Sequence, residues 1–183
     1  RAIVDKYRTF ASVPIRERNQ LQFERNLQDD FVKFIAIGEE EIRSSDVGVL
    51  GYITNATMLA SPSLRGMREY LLGTFSELCE LHLHGGVNEI AEDSRNDQNV
   101  FDIAQAVGIH VYVRGVRKVN EDACRVVRFA ELWGPRPEKY EFLRSHSAPA
   151  TDWRQVEHDH ENRAFVTPDG MASLAWLRAD DVF

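Results

Sequence analysis

GVLGYITNATMLASPSLRGMREYLLGTFSELCELHLHGG, residues Gly48 to Gly86, is followed after a polar stretch by NVFDIAQAVGIHVYVR, Asn99 to Arg114, and the succession of patterns along it decides the fold. Val47 to Thr54 is an almost unbroken apolar run closed by Asn55, which reads as a strand covered on both faces, as in a parallel α/β sheet. Ser61-Pro62 then offers an N-cap and a first-turn proline, and Leu64, Met67, Leu71 and Phe75 recur at helical spacing. Leu78 to Leu83 makes a second strand that closes on His84-Gly85-Gly86, and Val100-Phe101-Asp102 leads into a third, Gly108 to Arg114. That order puts Asn55 and Thr57, at the end of one strand, on the same rim as the aromatic Phe101. In an open α/β sheet that rim is where ligands are taken.

Working outward, residues 1–22 are charged and without clear period, and are read as an extended arm. From Phe23 an apolar stripe through Leu27, Phe31, Ile35, Gly38 and Ile42 predicts one helix ending near Ser44. Downstream, Cys124 to Phe129 (CRVVRF) is a further strand, joined to Gly108–Arg114 by a turn rich in Lys, Asn, Glu and Asp, so the two read together as the edge of a mixed sheet. Composition shifts after Trp133-Gly134-Pro135, where Pro137 to His146 reads as a short helix. A boundary is therefore expected near 134, with 23–133 as one unit and 134–183 as the start of another.

The 183 residues and 43% apolar content describe an ordinary globular chain with a real core, and a net charge of -7 argues against a generic nucleic-acid binder. Cys79 and Cys124 stand in apolar surroundings without metal-ligand spacing and read as reduced thiols of a cytoplasmic protein. No apolar run approaches the ~18 residues of a membrane span, so no membrane partner is expected. His82 and His84 alternate along a strand and could share a metal with a third ligand, but none is evident in the sequence nearby. His158-Asp159-His160-Glu161 reads as a solvated loop, and no metal is expected at either place. Trp153, Trp176 and Phe183 read as hydrophobic anchors of the C-terminal segment. Without a G-x-S-x-G elbow nothing supports a hydrolase.

The two stretches quoted above, with ELWGPRPEKYEFL (Glu131 to Leu143) after them, resemble the adenine-specific (N6) DNA methyltransferase part of single-chain restriction-modification enzymes, of type ISP or similar to type IIG. The resemblance covers roughly residues 24–145. It implies an α/β fold, the C-terminal half of a Rossmann-like methyltransferase sheet with an antiparallel closing hairpin, followed by the start of a target-recognition region. Val47–Thr54 would be the fifth strand of that fold, and Leu78–Leu83 with Gly108–Arg114 the closing pair. The family's Gly-rich turn for S-adenosylmethionine and its Asn-Pro-Pro-Tyr motif have no counterpart here: the sequence has no Pro-Pro pair and no early Gly-x-Gly. The implied partners are therefore an upstream methyltransferase half, double-stranded DNA, and helicase or nuclease domains of the parent protein. S-adenosylmethionine would be held by the parent, and this chain alone is expected to be inactive.

The position matching the family's base-stacking aromatic, just before the antiparallel seventh strand, is Phe101. Asn55 and Thr57 would line the base pocket. The loop from His84 to Asn99 could move over the DNA, but Glu89, Glu92, Asp93 and Asp97 make it a poor phosphate contact, so Arg65, Arg68, Arg114 and Arg117 are the expected phosphate partners. Each has a plainer reading beside it: Phe101 as a core plug, Asn55 and Thr57 as strand-end caps. The competing function is a non-catalytic α/β protein-interaction module, a decayed remnant of such an enzyme, which the acidity favours. A metal-dependent enzyme built on His82 and His84 has the least support.

Overall fold

The structure, a computed structural model, describes residues 2–87, 89, 96–115, 126–157 and 161–167. Arg117, Cys124, Glu92, Asp93, His158 to His160, Trp176 and Phe183, named above, lie outside the described residues.

The chain is mixed α/β. A five-stranded mixed sheet is built from β3 (Gly48–Asn55), β4 (Glu77–His82), β5 (Val107–Arg114), β6 (Val126–Glu131) and β7 (Arg154–Val156), in the spatial order β3-β5-β4-β6-β7. Short β1 (Thr9–Phe10) and β2 (Val13–Pro14) form a separate two-stranded hairpin. Helices α1 (Gln20–Leu27), α2 (Asp30–Arg43), α3 (Arg65–Thr74) and α4 (Arg136–Ser145) complete it. β5 runs antiparallel to both β3 and β4, and β6 runs parallel to β4. This arrangement is consistent with half of a Rossmann-like sheet closed by an antiparallel strand.

Several sequence expectations are corrected. Residues 23–44 form two helices rather than one, because Asp29 leaves helical geometry and its carboxylate accepts the Phe31 N–H at 3.2 Å, starting α2 afresh. Such a cap is worth about 1 kcal/mol, enough to break a stripe whose apolar spacing alone would run on. The segment read as an extended arm folds back as a 3-10 turn (Ala2–Arg8) and the β1–β2 hairpin, with Val4 and Tyr7 fully buried in the main core. Charge at its surface positions had masked those two anchors.

The apolar run at β3 is an edge strand. Leu50, Tyr52 and Thr54 face α2, where Gly38 lets Leu50 approach so closely that a Cβ would lie 2.5 Å from its Cδ1. Val49 and Ile53 point the other way and are 63% and 54% exposed, so only one face of β3 is covered. β5 and β6 are not neighbours either: β4 lies between them, paired by backbone ladders to both, and the Glu80 carboxylate also binds His110 and the Tyr112 hydroxyl (2.8 Å) across the β4–β5 pair. Beyond residue 134 the chain stays with the sheet, since β7 pairs with β6 and α4 packs on its second face. There Phe142, Leu143 and the half-buried Trp153 cover Leu81, Leu83, Val100, Val107 and Ala130. Among the described residues no helix is long and apolar enough to cross a membrane.

Candidate functional site

Because β3, β4 and β6 run the same way, Asn55, His82 and Glu131 end on one rim of the sheet, beside Val107 where β5 begins. Two clusters of side chains stand on this rim. One presents Phe101; the other gathers histidines and carboxylates.

The loop carrying Phe101 is held by its own asparagine. Asn99 accepts the Phe101 N–H at 2.9 Å through Oδ1, and its Nδ2 donates to the carbonyls of Gly85, Ile103 and Gln105. From outside, α4 grips the same loop. Arg136 donates to the Asn99 carbonyl (2.7 Å), the Phe101 carbonyl (3.2 Å) and Asp102 (2.7 Å), and the Tyr140 hydroxyl donates to the Val100 carbonyl at 2.6 Å. Lys139, wholly buried, pairs with Asp97 at 2.6 Å and donates to the carbonyls of Leu83 and Gln98. With its backbone so fastened, Phe101 is left 44% exposed. It lines an open concavity of about 740 Å³ together with Val87, Asn99, Ile103, Arg136 and Pro137. Sequence reasoning missed Arg136, Lys139 and Tyr140, whose only signal was a cationic pair and a tyrosine in a short helix after Pro135.

Asn55 ends β3 as a cap: its Oδ1 accepts the Thr57 N–H at 2.8 Å and the Thr57 hydroxyl at 2.6 Å. The two residues expected at the pocket rim thus bind each other and start the turn Ala56–Leu59.

The arginines expected at phosphates are engaged in the protein. Arg68 is corrected outright, being fully buried with its guanidinium donating to the carbonyls of Met58, Ser61, Asn162 and Arg163. A buried guanidinium needs those acceptors, and five donors on a planar fork satisfy a cluster of carbonyls that no shorter side chain could reach. Arg114 donates to the Ser45 and Thr74 carbonyls at the far end of β5, opposite Gly48, and is therefore at the other end of the sheet from Phe101. Arg65 pairs with Glu17 and donates to the Pro62 carbonyl at 2.7 Å.

The second cluster lies where β4 ends. His84 has φ +52° and Gly85 φ +84°, a left-handed turn that folds the chain back over the strand end. The rings of His82 and His84 come to 3.7 Å, and Trp133 stacks on His84 at 3.3 Å. Glu89 supplies the third group that the sequence did not reveal. Its Oε1 lies 3.2 Å from His82 Nε2 and 3.0 Å from His84 Nδ1, while its Oε2 accepts the Gly86 N–H at 2.7 Å. Glu131 Oε2 sits 3.2 Å from His84 Nε2, and Arg154 donates to the other Glu131 oxygen at 2.6 Å. Burial holds His82 down at about 4, so its ring is neutral near pH 7. Burial pushes Glu89 up, but the two imidazoles outweigh it and leave it at about 2. The hydrogen bond to His84, with help from Arg154, likewise holds Glu131 at about 2 against its burial.

No protein-family model and no curated protein matches the sequence. Solved structures do match the fold. The type ISP restriction-modification enzyme LlaBIII, solved bound to DNA, aligns with a TM-score of 0.65 at 23% identity over 76% of this chain and 9% of its own. A nuclease-deletion mutant of the type ISP enzyme LlaGI, in complex with a DNA substrate mimic, gives 0.70 at 22% identity over 89% and 15%. The DrdV–DNA complex gives 0.64 at 18% identity over 75% and 13%. The chain thus spans a small part of the length of each of these proteins, and what it shares with that part is the fold.

Proposed function

We propose that this chain is the base-facing rear portion of an adenine-specific (N6) DNA methyltransferase of a restriction-modification system, and that Phe101 is the surface on which the extruded adenine stacks. The exocyclic amine of adenine is a weak nucleophile inside a duplex, so the base must leave the stack and be held with that amine aimed at the methyl donor. Extrusion costs a few kcal/mol, and an aromatic platform returns about 1 to 3 kcal/mol of it. The observation that carries the reading is a half-exposed phenylalanine at the mouth of a concavity, on a backbone fastened by Asn99, Arg136 and Tyr140. A ring that served only the core would be covered. A rigid loop matters because stacking then needs little ordering on binding.

Double-stranded DNA is the proposed partner, through the parent enzyme, with helicase or nuclease domains in the same polypeptide. S-adenosylmethionine supplies the methyl group in this reading. With no Gly-x-Gly turn and no Pro-Pro pair in the sequence, no residue here is assigned to that donor, and the chemistry belongs to an upstream half. This chain contributes a wall and not a catalytic group. The likeness of its fold to enzymes solved on DNA supports the assignment.

The test uses the full-length enzyme and a duplex with 2-aminopurine at the target position. Phe101→Ala should weaken binding of the extruded base by about 1 to 3 kcal/mol, or roughly 5- to 150-fold, while Phe101→Trp keeps it. Because Phe101 is half-exposed, Phe101→Ala should change unfolding stability by less than about 1 kcal/mol. Unaltered 2-aminopurine fluorescence and unaltered methyl transfer in a folded Phe101→Ala enzyme would refute the assignment.

A further inference from the structure

We infer that the end of β4 is a metal site, in which His82 Nε2, His84 Nδ1 and Glu89 Oε1 ligate one divalent transition-metal ion and Glu131 is the outer carboxylate on His84. The inference rests on these side chains alone and is independent of the methyltransferase reading.

Three donor atoms, one from each residue, lie within 4.8 Å of one another, and all three residues are buried. Around a tetrahedral ion with ligand bonds of about 2.0 to 2.1 Å, neighbouring donors stand roughly 3.3 to 3.4 Å apart. The carboxylate oxygen is already at 3.0 and 3.2 Å from the two ring nitrogens. Two imidazoles and one carboxylate are a donor set that suits Zn²⁺ and its neighbours in the first transition row better than a hard cation.

His82 is the independent observation. It is wholly buried, and both its ring nitrogens lack a hydrogen-bond partner among the described residues, although Nε2 is only 3.2 Å from Glu89. A pair held together by hydrogen bonding would be aligned as one. Leaving buried polar atoms unsatisfied costs about 1 to 3 kcal/mol for each group, which a bond to an ion removes.

The surrounding contacts orient the set in the way metal-binding histidines are usually oriented. Nδ1 of His84 faces Glu89 while Nε2 faces Glu131, so a proton on Nε2 can be donated to Glu131, and that contact leaves Nδ1 as the basic nitrogen. Arg154 holds Glu131 from behind. Glu89 is turned by the Gly86 N–H on Oε2, leaving Oε1 to the histidines. The ion would join the end of β4 to residue 89, and so brace the Gly85-Gly86 turn on which Asn99 rests.

The chain is purified, stripped with a chelator, returned to Zn²⁺ or Co²⁺ and dialysed, with folding followed by circular dichroism. The expected result is one equivalent of zinc retained per chain and visible d–d absorption from the cobalt form. Glu131→Gln should weaken Zn²⁺ affinity by about 10- to 100-fold. Glu89→Ala should abolish retention, and His146→Ala, at an exposed histidine on the end of α4, should leave it unchanged. A folded wild-type chain that keeps no zinc and gives no cobalt band overturns the site. Equal retention by wild type and Glu89→Ala does so too.

Discussion

Gly85 and Asn99 touch backbone to backbone: a Cβ on the glycine would lie 2.3 Å from Asn99 Cα and 2.5 Å from its nitrogen. The glycine also sits at φ +84°, where an L side chain is strained. Gly85→Ala should therefore cost at least about 2 kcal/mol of unfolding free energy, from strain and displacement together. Urea denaturation measures it. A change below about 0.5 kcal/mol would mean that the turn and the Phe101 loop relax without penalty.

Lys139 and Asp97 form a buried ion pair that also satisfies the Leu83 and Gln98 carbonyls. Removing only the cation leaves a buried carboxylate without its counter-charge, with only the Gly134 N–H, at 2.8 Å, to hold it among the described residues. Lys139→Met should destabilise by about 3 to 5 kcal/mol, and adding Asp97→Asn should restore part of that loss. A double-mutant cycle with additive effects would contradict the pairing.

Cys79 is a buried thiol, and burial with Glu77 alongside pushes it from 9.0 up to about 11. At pH 8 its thiolate fraction falls about 100-fold below that of an unperturbed thiol, and alkylation slows accordingly. In a Cys124→Ser background, iodoacetamide should label the native chain slowly at pH 8 and the unfolded chain fast. The sign for stability follows from the same shift: the folded state holds the proton more tightly, so stability is lost as pH rises from about 9 through about 11. Equal native and unfolded labelling rates would place the thiol in water.

The outer edge of β3 pairs with no strand among the described residues, and Val49 and Ile53 stand exposed beside it. Phe34 and Ile37 on the adjacent α2 are exposed as well. An open apolar edge is a template for pairing, so the isolated chain should self-associate with rising concentration. Val49→Lys with Ile53→Lys should suppress this in sedimentation velocity while leaving the unfolding midpoint nearly unchanged. Undiminished association would move the contact elsewhere.

Periodicity in the sequence sufficed for β3, α3, β4 and β5 as local patterns of apolar spacing, although Ser61 does not cap the helix as expected: a 3-10 turn, Pro62–Leu64, intervenes and α3 starts at Arg65. The antiparallel pairing of β4 with β5 was legible only through the family resemblance. The break at Asp29 escaped, since a capping carboxylate competes with a stripe that continues on both sides of it. The partners of β6 also escaped, since its backbone ladder to β4 joins residues far apart in the chain.

By itself the sequence determined the order β3, α3, β4, β5 and the shared rim expected for Asn55, Thr57 and Phe101, for each element follows from apolar spacing between residues near one another in the chain. Which cations are free was decided only in three dimensions. Arg68 has the same chemistry as a phosphate-binding arginine, and the carbonyls that claim it come from residues 58 to 163. The grouping of Glu89 and Glu131 around two histidines was decided there too. Local spacing encodes which face a side chain takes, whereas a site assembled across a left-handed turn and a neighbouring strand exists only once the backbone has closed.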